Sequence, residues 1–193
     1  QQRVDGHWTT GTVARPPIED GDIFRTALGV RALALYGTPG RAAEIRQRIA
    51  KARTWLLEAK ATTAEDRNMQ LLGLFWASAD AQHRDRLAKG ILSKQRADGG
   101  WSQTDNLASD AYATGQSLFA LKEAGGVGGA NAAYMKGIDY LLSTQRADGS
   151  WYVRSRAPKF QPFFDGGFPY GHDQWISSMA TGWATVALAM SLP

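Results

Sequence analysis

Asp165, His172 and Asp173 fall inside one aromatic stretch that runs from Trp151 to Trp175. An acid among aromatic rings suits proton-initiated carbocation chemistry. The acid supplies the proton, and the ring faces stabilise the cation. The stretch also holds Tyr152, Phe160, Phe163, Phe164, Phe168 and Tyr170. These rings could line a pocket for an apolar ligand, or pack on one another as a plug. Arg154, Arg156 and Lys159 add a small basic patch, which reads as solvated surface rather than a diphosphate clamp. A loop of this length inside a compact domain is uncommon and often functional.

Other chemistries are excluded or unsupported. The chain has no Cys, which removes thiolate zinc sites and a cysteine nucleophile. His7, His83 and His172 share no ligand spacing. No metal site and no cofactor are expected, and His7 and His83 read as solvated. The net charge of +4 is dispersed, without the dense Lys/Arg stripe of a nucleic-acid binder. Ile176 to Leu192 lacks charge but is shorter than the roughly 20 residues of a membrane span, so it reads as a buried helix. The first residues carry no apolar leader.

The 193 residues are 44% hydrophobic and 21% charged, enough for one domain over 1–193 with a real core. Ile45, Ile49, Ala52 and Leu56 recur at helical spacing, as do Tyr134, Ile138 and Leu141. Such stripes mark amphipathic helices with one buried face. Between them lie segments with few or no charges: 26–36, 71–79, 111–121 and the stretch after Asp173. Helices apolar all round are buried on both sides. The alternation predicts an all-α fold of two concentric layers, apolar helices inside. Helices are expected over 22–37, 42–60, 64–79, 81–95, 109–124, 131–145 and 173–191.

One motif punctuates these helices. Gln2-Arg-Val-Asp-Gly6-His-Trp8 recurs as Gln95-Arg-Ala-Asp-Gly99-Gly-Trp101 and as Gln145-Arg-Ala-Asp-Gly149-Ser-Trp151. Aligning Trp55–Lys60 with Tyr140–Gln145 places a degenerate copy at Lys60, where Asp-Gly-x-Trp is missing. The Gly suits a left-handed turn after a helix. The Gln amide can satisfy orphan carbonyls, and the Trp is a large apolar plate with one donor. These residues read as structural staples.

Gln-x-x-x-Gly-x-Trp after an outer-type helix resembles the repeat of the squalene–hopene and oxidosqualene cyclases, within the prenyltransferase and squalene-cyclase superfamily. The resemblance runs from Gln2 to about Leu192 and implies an α/α toroid, of which this chain would be a C-terminal part. Cyclases of this kind carry Asp-x-Asp-Asp-Thr-Ala at the start of an inner helix, where the central Asp protonates the polyene. Here the matching stretches read Asp22-Ile-Phe24-Arg-Thr-Ala, Asp110-Ala-Tyr112-Ala-Thr-Gly and Asp173-Gln-Trp175-Ile-Ser-Ser. Each keeps the leading Asp, which reads as a helix cap, and none keeps the acid pair. Three rings, Phe24, Tyr112 and Trp175, stand where the acid would be. They are expected to share a ligand pocket with Asp22, Asp110, Phe164, Phe168 and Tyr170. Asp165, His172 and Asp173 are the remaining candidate acids.

The resemblance therefore implies a noncatalytic repeat domain that binds an apolar, terpenoid or lipid-like molecule or a protein partner. A terpenoid cyclase or lyase, with its acid in the 160–175 loop or in a missing N-terminal part, and a purely structural scaffold are the alternatives. The expected partners are an apolar small molecule and further domains of a longer polypeptide or a second copy, with no nucleic acid. The resemblance leans towards an extracytoplasmic or membrane-associated place.

Overall fold

The computed structural model describes residues 1–9, 14–18, 20–159, 162 and 164–192. Among them there are seven α-helices and no strand; an isolated bridge joins Gln2 and Trp8. The helices are α1 (Asp22–Tyr36), α2 (Ala42–Glu58), α3 (Ala64–Trp76), α4 (Ala81–Leu92), α5 (Ala111–Glu123), α6 (Ala132–Thr144) and α7 (Gln174–Ser191). None of the described helices is long and apolar enough to cross a membrane.

The apolar helices α1, α3, α5 and α7 pack side by side in chain order, and α2, α4 and α6 lie against them. This is the double layer of an α/α-toroid-like fold. α3 and α5 are buried on nearly every face, with Met69, Leu71, Leu72, Leu74, Leu118 and Leu121 in one continuous core. The two end helices differ from expectation. α1 leaves Leu28, Leu35 and Tyr36 exposed, and α7 leaves Met179 and Val186 exposed. Each has an inner-layer neighbour on one side only, so an apolar sequence is not covered all round.

The helix starts also divide. Asp110 caps α5 by accepting the Ala113 N–H at 2.9 Å. Asp22 and Asp173 make no capping bond. Asp22 is the first helical residue of α1, beyond the capping position, which Gly21 holds. Asp173 turns its carboxylate outward to the preceding loop. The most complete cap is at α3, where Thr63 and Asp66 form a reciprocal capping box.

The three Gln–Trp motifs fold alike. Gly6, Gly99 and Gly149 all sit at φ between +83° and +109°, a region glycine enters without steric cost. Each Gln amide donates to its own glycine carbonyl, at 2.8, 2.8 and 2.9 Å. The backbone N–H of each Trp donates to a threonine hydroxyl of the following inner helix: Trp8 to Thr26, Trp101 to Thr114 and Trp151 to Thr181. The Trp101 and Trp151 rings are buried, and their indole N–H groups satisfy the carbonyls of Ile91 and Leu141 near the ends of α4 and α6.

The degenerate copy after α2 solves the same problem differently. The carbonyl of Leu56, aligned with that of Leu141, accepts from Gln70 of α3 at 2.7 Å; the same amide reaches Ala59 at 2.9 Å. An inner-helix amide thus replaces the missing indole.

Candidate functional site

The stretch 151–173 is pinned to the start of α7 by three consecutive residues. Asp173 accepts from the Ser155 N–H at 2.9 Å and from the Tyr152 hydroxyl at 2.8 Å. Gln174 is buried; it accepts the Gly166 N–H and donates to the Phe164 carbonyl, both at 2.7 Å. The Trp175 indole donates to the Ser155 hydroxyl at 3.2 Å. Tyr170, in a left-handed conformation at φ +86°, shares a 2.6 Å hydrogen bond with Ser150 and meets Tyr152 edge-on.

These anchors border an open recess of about 460 Å³ beneath the loop. Its apolar wall is Phe164, Phe168, Trp175, Pro158 and Pro162, and Arg15, Lys159, His172 and Asp173 stand at its border. The Asp173 carboxylate is already engaged at both oxygens. Asp165 does not line the recess; it accepts the Gly167 N–H at 2.9 Å. Phe160 and Phe163 lie outside the described residues.

The other sequence-selected residues lie elsewhere. Asp110 borders a second recess of about 280 Å³ with Tyr140, Arg146 and Tyr152, and burial pushes its carboxyl up to about 6. Phe24 packs half-buried on the core near the start of α1. Asp22 lies 3.5 Å from His7, which also pairs with Asp5 at 2.6 Å and stacks on Trp55. His7 is therefore a packed turn residue and not a solvated one. Tyr112 points inward: its hydroxyl donates to Glu65 at 2.8 Å.

Glu65 escaped the sequence reading. It lies in the first turn of α3, is 3% exposed, and receives both Tyr112 and Gln116 on Oε2 at 2.8 Å. Its Oε1 is buried without a hydrogen-bond partner. Burial is the main cause that pushes this carboxyl up to about 7, with Asp66 adding to it and Tyr112 and Gln116 opposing. Asn68 extends the network to Gln116 and Ser117. A buried carboxyl thus sits between the two central inner helices, and burial favours its protonated form. The available signal was polar residues at helical spacing, Glu65 with Asn68 and Tyr112 with Gln116, on otherwise apolar helices.

Comparison with known proteins places this geometry in a lineage. The profile of the squalene–hopene cyclase N-terminal domain matches residues 39–137, from the turn before α2 into α6. A copalyl diphosphate synthase of Streptomyces anulatus is 36% identical over 97 residues, 47% of this chain and 17% of that protein. The chain thus spans about a sixth of that relative's length. The profile describes an N-terminal domain, whereas the motif reading pointed to a C-terminal part of the ring. The 151–175 loop and its recess lie beyond the matched stretch. With half of its length matched and an all-helical double layer, the chain belongs to the squalene–hopene cyclase N-terminal domain family.

Proposed function

We propose that this domain is noncatalytic and binds an apolar, terpenoid or lipid-like molecule in the recess beneath the 151–173 loop. The observation that carries this reading is the aromatic wall of Phe164, Phe168 and Trp175 around about 460 Å³, within the size range of small-molecule sites. The polar groups of the first turn of α7 hold the loop in place, and both Asp173 oxygens are used for that purpose. Titration of the protein with squalene and with geranylgeraniol, followed by tryptophan fluorescence, tests the reading. Saturable binding is expected, weakened about tenfold or more in F168A, since a buried Phe ring contributes roughly 1.5–3 kcal/mol. Absence of saturable binding by any terpenoid or lipid probe would overturn it.

Glu65 favours a second reading, an acid catalyst of the terpenoid-cyclase type. Its carboxyl is buried among inner helices and is held up to about 7, which keeps much of it protonated near neutrality. Cyclisation of squalene or a prenyl diphosphate by the wild-type chain, lost in E65Q, would support this reading against the first.

A further inference from the structure

We propose, resting on the binding of an apolar molecule put forward above, that the ligand of the recess beneath the 151–173 loop is a long-chain carboxylate. Its head meets the polar border of the recess, and its chain lies along the aromatic wall. One hydroxyl at this border has a proton to spare. Ser155 lines the recess, and its Oγ accepts twice, from the Ala157 N–H and from the Trp175 indole N–H, both at 3.2 Å. A serine hydroxyl offers two lone pairs and one proton. Both lone pairs are taken, and no acceptor among the described residues receives the proton. Ser178, the other hydroxyl lining the recess, donates its proton to the Trp175 carbonyl at 3.1 Å. Ser155 is therefore the hydroxyl that asks an entering molecule for an acceptor.

Charge selects among acceptors. Arg15 and Lys159 line the recess, and Asp173 is the carboxylate that lines it with them. The Asp173 oxygens turn to the loop, where they accept from the Ser155 N–H and the Tyr152 hydroxyl. Two cations against this one anion leave a single positive charge, and a proton on His172 would add to it. One negative head closes that balance. A neutral alcohol brings the acceptor without the charge. A diphosphate brings several charges to a site that matches one, and charge taken out of water without a partner is costly. The remainder of the ligand follows from the wall. Phe164 is 83% exposed, and Phe168 and Trp175 are half-buried beside it. An apolar chain laid across these rings removes their surface from water, which is favourable. The combination of a few placed polar groups with an apolar wall is the ordinary build of a small-molecule site.

The test titrates the full chain with oleate, oleyl alcohol and geranylgeranyl diphosphate, each below its micelle concentration, and follows tryptophan fluorescence. Oleate should bind about tenfold more tightly than oleyl alcohol, since hydrogen bonds to an ionised head are the stronger ones. K159E turns the border negative and should bring that ratio to about one or below. Its thermal melt should match wild type, because Lys159 is exposed. Oleyl alcohol binding as tightly as oleate would overturn the carboxylate head and leave the apolar site standing. Geranylgeranyl diphosphate binding more tightly than oleate would give the head several charges and overturn the proposal. An oleate preference untouched by K159E would overturn the assignment of the border. Failure of every probe, oleyl alcohol included, would remove the apolar site itself and this ligand with it.

Discussion

The turn at Gln95–Trp101 and the turn at Gln145–Trp151 share six of seven residues and the same internal hydrogen bonds. They differ in what leans on them: α6 presses on the first, whereas among the described residues no helix lies against Gly149, and the second turn meets the loop instead, through the Ser150–Tyr170 hydrogen bond. The internal half of the motif therefore does not need the external half. The indole, the left-handed glycine and the Trp-to-Thr bond make the turn; the glutamine amide and the bare glycine face then receive a neighbour. The degenerate position after α2 is a third case. There the inner helix supplies Gln70 to the orphan carbonyl, and Glu65 is buried close by in the same helix.

The largest effects should be those of the internal half, and they should be equal in the two turns. W101A and W151A each remove a buried ring that also satisfies a helix carbonyl. Each should destabilise by roughly 3–5 kcal/mol. Chemical denaturation measures this directly. A much smaller loss for W151A would mean that the internal half does depend on a neighbour.

The degenerate position should carry pH sensitivity. Glu65 is raised from 4.5 to about 7, chiefly by burial. The folded chain then holds a proton that the unfolded chain releases between those values, so stability falls as pH rises from about 4.5 to 7 and levels off above. The span corresponds to about 3 kcal/mol. Asp110, raised to about 6, adds a slope of the same sign. E65Q should flatten the Glu65 part. Melts of the two proteins across pH 4 to 8 would decide it, and parallel curves would refute the assignment.

Much of this was legible in the sequence because it is local. Helix periodicity, the Asp-Gly turn and the apolar-amphipathic alternation are written in adjacent residues, and the structure follows them. Glu65 was not legible in the same way. Its burial depends on Tyr112 and Gln116, about fifty residues away in another helix. The matching register of Phe24, Tyr112 and Trp175 suggested one shared pocket, yet the side chains go to separate places. Equivalent positions on neighbouring inner helices face different surroundings: core for Phe24, a carboxyl for Tyr112, the loop recess for Trp175. Likewise, composition marks α1 and α7 as apolar but cannot say which neighbours cover them.

The glycine pair sharpens the comparison further. G99A places a methyl 2.6 Å from the Lys136 carbonyl oxygen in addition to forcing alanine to φ +86°. G149A meets only the backbone strain, at φ +83° with open space around it. The strain is about 1–2 kcal/mol in each. G99A should cost about 1–3 kcal/mol more, the usual range for overpacking. Equal losses in denaturation would show that α6 yields without cost.

The smallest effect is the most diagnostic. Q95A removes two hydrogen bonds, one within its own turn and one to the Ala133 carbonyl of α6. Two part-buried bonds of about 0.5–1.5 kcal/mol each are lost, whereas a single intramolecular bond at an exposed site contributes about 1 kcal/mol or less. Gln145 is exposed and its bond to Gly149 competes with water. Q145A should therefore lie within about 0.5 kcal/mol of wild type, the usual range of surface substitutions, against about 1–3 kcal/mol for Q95A. The difference between the two variants isolates what the outer helix adds, because the turn geometry is otherwise the same. If Q145A were as damaging as Q95A, the glutamine would act within its own turn, and the second carbonyl would be incidental to it.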